Sequence, residues 1–174
     1  MFDLICKRGC RRVGGVRVFG YSIALPDLSA HPRIAAFYED ISALVSERCD
    51  SELARLAEDE YLSLCERDRQ TAFRPSSYTL VGEVTYFDGE IMIVKLTATV
   101  RYPCKEQSRR IFEVHAWSVD DQLLIPPRRV ARRFIPKGRL PSMLGDCGFL
   151  VENGSYYICK GGSLFPISVT NNKC

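Results

Sequence analysis

Between residues 32 and 70, apolar side chains recur at steps of three and four: Ile34, Phe37, Tyr38, Ile41, Leu44, Val45, Cys49, Leu53, Leu56, Ala57, Tyr61, Leu64 and Cys65. That spacing draws one stripe along a helix. Pro32 sits in the first turn, where its missing N–H costs nothing, and Ser29 or His31 is placed to cap the start. A helix of this length is roughly 50 Å long at a rise of about 1.5 Å per residue, enough to lie across a whole sheet. A break is expected near Cys49-Asp50-Ser51. Cys49 and Cys65 both fall on the stripe, so a straight helix would hold them roughly 24 Å apart, too far for a disulfide.

The remaining segments read as strands and turns. Residues 16–25 alternate and end at Pro26-Asp27. Asp88-Gly89 is a hairpin turn between residues 78–87 and 90–102, with positive φ expected at both turn positions. Met92, Val94, Leu96, Ala98 and Val100 form the expected buried face of the second strand. Residues 109–119 make another strand, with Phe112, Val114 and Ala116 on one face and Ile111, Glu113, His115 and Trp117 on the other. Asp120-Asp121-Gln122 turns the chain, and Pro126-Pro127 introduces a short helix over 128–134. A final hairpin joins 148–151 to 156–159, and residues 164–169 add an edge strand that tolerates Pro166. The predicted class is α+β: a mainly antiparallel sheet of five to seven strands packed against one long helix plus a short helix. The 174 residues are expected to form a single domain, with residues 1–15 as a basic, flexible N-terminal arm carrying Lys7, Arg8, Arg11 and Arg12.

Composition narrows the class of function. Hydrophobic residues are 46% and charged residues 26%, ordinary for a globular chain able to stabilise its own core. No run of 18 apolar residues occurs, so no membrane partner is expected. The N-terminus lacks a signal-peptide pattern, and a cytoplasmic location is expected. Eight cysteines stand at 6, 10, 49, 65, 104, 147, 159 and 174 without a CxxC pair, and neither histidine is near a cysteine pair. They are expected to be free thiols, with no metal and no cofactor. No phosphate-binding glycine motif is present.

Two constellations carry chemistry. Arg128, Arg129, Arg132 and Arg133 share one face of the short helix, with Val130, Ala131 and Phe134 opposite, and Lys137 and Arg139 extend the basic face to residue 139. The pattern fits a solvated helix face first, and a phosphate-binding surface for a polyanion second. No aromatic is interleaved to stack bases, and the net charge is only +3, so nucleic acid is not the expected partner. The second constellation is His115 with Trp117. A hydrolase would place His115 in a cleft with a thiol or carboxylate within about 3 Å. The expectation is instead a neutral imidazole packed beside Ile111 and Trp117, bonded to a neighbouring strand. Eight carboxylates against two arginines between Glu39 and Glu60 make the long helix acidic, a polarity that fits plain solubility as well as self-association or a charged partner.

Three stretches resemble a bacterial domain family of unknown function. They are 31–38 at the helix start, 112–126 with 133–135 through strand, acidic turn and short helix, and 148–158 in the final hairpin. That family forms the extracellular part of the lysozyme-sensing anti-sigma factor V and a segment of some peptidoglycan deacetylases. The resemblance implies an α+β domain over roughly residues 30–170. Pro103-Cys104-Lys105-Glu106-Gln107-Ser108 stands where the family carries Gly-Gly-Ala-His-Gly, so no functional residue is carried over. The expected function is a non-catalytic binding domain for an unidentified protein or small ligand, with His115, Trp117, Arg128, Arg129, Arg132 and Arg133 as candidate ligand contacts. A hydrolase with His115 in its pocket, and a polyanion binder using the arginine face, are the alternatives.

Overall fold

The computed structural model describes residues 2–67, 69–103, 107–136 and 147–167. In chain order the elements are β1 (Leu4–Val13), β2 (Val16–Pro26), α1 (Pro32–Arg48), α2 (Ala54–Glu66), β3 (Ser76–Phe87), β4 (Ile91–Arg101), β5 (Ser108–Ser118), β6 (Leu123–Leu124), α3 (Pro127–Phe134), β7 (Gly148–Glu152), β8 (Ser155–Lys160) and β9 (Ser163–Ile167). Strands β1 to β6 form one sheet in sequence order, and β7 to β9 form a second. The class is α+β, with one long helix and one short one. Contacts gather the chain into two units. The first is Met1–Asp27, Ala35–Val81 and Thr97–Arg110; the second is Leu28–Ile34, Gly82–Leu96 and Ile111–Cys174.

In the first unit the segment expected as a flexible basic arm is strand β1. Gly14 (φ 54°) and Gly15 (φ 83°) make the two-residue turn that pairs it antiparallel with β2. Both turn positions require positive φ, which glycine adopts without a Cβ penalty. Two of the arm's four cations are tied down: Lys7 Nζ donates to Ser46 Oγ at 2.6 Å, and Arg11 pairs with Glu58 at 2.8 Å. Strand β2 pairs with β3 in parallel. A parallel pair needs a long crossover, and the α1–α2 helix is that connection.

The break in the helix is one π-helical turn, Cys49–Leu53, between α1 and α2. A π-turn adds a residue to its turn and rotates the face that follows. The expected stripe nevertheless holds on both sides of it, with Leu53, Tyr61, Leu64 and Cys65 half-buried downstream and one exposed member on each side. Cys49, Ala54 and Ala57 are buried, whereas Leu56 is 50% exposed. Upstream, Leu44 is 68% exposed. The six described cysteines are free; Cys49, Cys147 and Cys159 are buried, Cys65 is half-buried, and Cys6 and Cys10 are exposed. Burial pushes the Cys49 thiol up to about 11, with Asp50 adding to the shift.

In the second unit β4 is buried on both faces from Ile91 to Leu96, not on one as its alternation implied. The turn before it has positive φ at Gly89 alone (91°). Asp88 Oδ1 instead accepts the N–H groups of Glu90 (3.0 Å) and Ile91 (2.7 Å), an Asx-type turn. Asn153 (φ 49°) and Gly154 (φ 74°) close β7 onto β8 as a two-residue turn. Strand β9 pairs with β8 alone, so Pro166 costs no ladder bond to a further described strand. Residues 168–169 of the expected strand lie outside the described residues. Ile93, Val130, Ala131, Phe149 and Leu150 build the core, with Phe134 edge-on to Tyr86 at 4.9 Å. Inside it, Lys95 is 9% exposed and bridges Glu83 (2.8 Å) and Glu152. Among the described residues no helix is long and apolar enough to cross a membrane.

Candidate binding surfaces

Strand β5 carries two of the residues singled out from the sequence. Trp117 is 4% exposed, a core residue more than a surface for a ligand. His115 Nε2 lies 2.9 Å from Glu113 Oε1, two positions earlier on the same strand face. Such an i, i+2 pair on a strand points the same way. The bond to His115 holds the Glu113 carboxyl below its ordinary value. Cys104, the nearest thiol in sequence, lies outside the described residues. The thiol beside this pair is Cys159, which donates to the Phe112 carbonyl at 3.1 Å. Burial raises its pKa, and Glu113 and Cys147 raise it further. A thiol so held is protonated and packed, not an activated nucleophile.

Helix α3 presents all four arginines outward, while Val130 and Ala131 are fully buried. Their electrostatic settings differ. Arg133 bonds Glu90 at 2.7 Å and reaches Asp88 at 4.0 Å. Arg129 and Arg133 line a pocket of about 330 Å³ with Glu90, Ser118, Asp120 and Ile125. That half of the face meets carboxylates. Arg128 and Arg132 pair with no carboxylate among the described residues. Lys137 and Arg139 lie outside the described residues.

A larger cleft was not legible in the sequence. Registers across the first unit align Arg8 with Ser22 and Thr79, and Cys10 with Gly20 and Ser77. Aligned residues share a face. The opposite face carries Lys7, Arg11 and Tyr21 toward the helix, where the Tyr21 hydroxyl donates to Asp50 Oδ2 at 3.1 Å. The cleft has a volume of about 550 Å³, and Arg8, Arg17, Ser22, Ser77 and Thr79 line it. Gly20 makes the floor. Any Cβ there would collide with the Arg17 guanidinium, which folds across it. None of the lining residues is a carboxylate, and neither arginine is ion-paired among the described residues. Two guanidinium groups beside three hydroxyls offer charge-assisted and neutral donors to one oxyanion. His115 lines neither cavity.

No protein-family model and no curated protein matches the chain. Solved structures do. A DUF3298-family protein from Bacteroides fragilis NCTC 9343 aligns with a TM-score of 0.53 at 9% identity, over 72% of this chain and 58% of that one. The chain shares that protein's fold. A DUF3298-family protein from Pseudomonas aeruginosa PAO1 aligns with a TM-score of 0.47 at 12% identity, over 74% of this chain and 56% of that one. The chain therefore spans a little over half the length of either protein. At such identities the likeness assigns no residue a role, and the fold is that of a domain of unknown function.

Proposed function

We propose that this chain is a non-catalytic binding module for an anionic ligand, seated in the cleft between β1, β2 and β3. The observation that supports this is the pair of uncompensated arginines, Arg8 and Arg17, above hydroxyls from β2 and β3. A carboxylate or phosphate group matches that donor set, because a guanidinium offers a planar fork of N–H groups. The test is an amide NMR titration of the whole chain with inorganic phosphate. The expected result is saturable shifts at Arg17, Gly20 and Ser77 that weaken with added salt and vanish in Arg17→Ala. Shifts confined to α3 would overturn it.

The α3 face supports a second reading, a polyanion surface built on Arg128, Arg129 and Arg132. Inorganic polyphosphate binding lost in Arg128→Ala/Arg132→Ala would favour it. The hydrolase reading has less support: a carboxylate stands 2.9 Å from His115, but His115 lines neither cavity and Cys159 is held protonated. Self-association through the acidic helix is likewise weakened as a reading, because Arg11 meets part of that acid within the chain.

A further inference from the structure

We infer that the free edge of β1 receives an extended acidic peptide as an added strand. The inference takes its charge argument from the cleft as an anion seat and goes further by naming the partner. Among the described residues β1 ends the six-stranded sheet, pairing with β2 alone. Its ten residues are exposed except Gly9 and Val13, which are partly buried, and Leu4 and Ile5 are 54% and 58% exposed. An edge strand presents a row of unpaired N–H and C=O groups that template another strand.

Charge selects the occupant. Strand β1 holds Lys7, Arg8, Arg11 and Arg12 and no acidic residue. A second copy of β1 laid antiparallel on the first would set four cations against four, and like charges on paired strands are destabilising. An acidic strand does the reverse. Side chains directly opposite on paired strands stand about 4.5–5.5 Å apart at Cβ. Carboxylates on every second residue of the added strand therefore fall beside Arg8 on the cleft face. Lys7 and Arg11, already bonded to Ser46 and Glu58, face the other way. The expected ligand thus has acid at period two, with β-branched residues between.

The experiment uses the isotope-labelled full chain and a seven-residue peptide of alternating glutamate and threonine, blocked at both ends. Three controls accompany it: the lysine–threonine version, a version N-methylated at alternate amides, and inorganic phosphate. The expected result is slowed hydrogen exchange at alternate β1 amides with the acidic peptide only. N-methylation should abolish it at unchanged charge. Arg8→Glu/Arg12→Glu should weaken binding by about tenfold or more while leaving the melting curve in place, since both side chains are exposed. Equal binding of the N-methylated peptide would overturn strand addition, as would shifts confined to α3. A free chain that runs as a dimer with β1 amides already protected would overturn it too. Phosphate without effect but β1 protected by the peptide would remove the cleft reading and leave this one standing; phosphate bound without any peptide protection would do the opposite.

Discussion

Lys95 gives the sharpest energetic test of the second unit. Its ammonium is enclosed, with 11% of the side chain exposed, and it is held by Glu83 (53% exposed) and Glu152 (29% exposed). Burial alone would lower its pKa, but the bonds to Glu152 and Glu83 outweigh that and raise it above the ordinary 10.5. Breaking a fully buried pair costs roughly 3–5 kcal/mol. The Glu83 half of this arrangement stands in water, where a pair contributes about 0–1 kcal/mol. Lys95→Ala should therefore cost about 2–3 kcal/mol, including the lost packing of its aliphatic stem. Lys95→Met/Glu152→Gln keeps the volume and removes both enclosed charges, so it should cost about 1 kcal/mol or less. Urea unfolding reads the difference as a separation of about 1 M in midpoint. The sign of the pH dependence is fixed as well. A raised lysine pKa contributes stability that is fully present below 10.5 and is lost as pH rises through the higher folded value. The wild type should show that alkaline loss, and Lys95→Met should not. Equal midpoints for Lys95→Ala and the double variant would refute the enclosed-charge argument.

Two further outcomes test the glycine contacts and the histidine pair. Gly9→Val should cost about 2 kcal/mol in a thermal melt, because its Cβ would press on the Tyr21 ring that bonds Asp50, whereas Gly20→Ala meets only the mobile end of Arg17 and should stay within about 0.5 kcal/mol; equal losses would refute the distinction. His115→Phe should move the Glu113 carboxyl titration up toward 4.5, since the histidine bond is what lowers it. The associated stability is present above 4.5 and lost as pH falls through the lower folded value, and with Glu113 66% exposed it amounts to a few tenths of a kcal/mol. An unmoved titration midpoint would show that the pair is not coupled.

What the sequence made legible is local. The 3.6-residue period located the helix, Asn153-Gly154 located the β7–β8 turn, and the spacing of Arg128, Arg129, Arg132 and Arg133 located one exposed helical face. Each of those signals sits within a few residues of what it specifies. The break was legible at Cys49-Asp50-Ser51, but its π form escaped, because no residue type announces one residue added to a turn. Strand β1 escaped for a different reason. An edge strand with charges on both faces has no apolar alternation, and only Gly14-Gly15 at hairpin length betrayed it.

The cleft lies beyond local reasoning altogether. Arg8, Ser22 and Thr79 become neighbours only through two registers, one of them a parallel pairing across the whole helical crossover. Strand alternation makes that assembly all-or-none: a slip of one residue in either register would send one strand's side chains to the helix side. Tyr21 packed over Gly9 opposes such a slip, because no neighbouring β1 position offers a glycine to receive the ring. The same glycine that admits the Tyr21 ring on one face thereby fixes Arg8 and Cys10 on the other. The position of the candidate anion seat is thus set by packing on the opposite side of the sheet, which is why charge patterning along the chain could count the arginines but not bring them together.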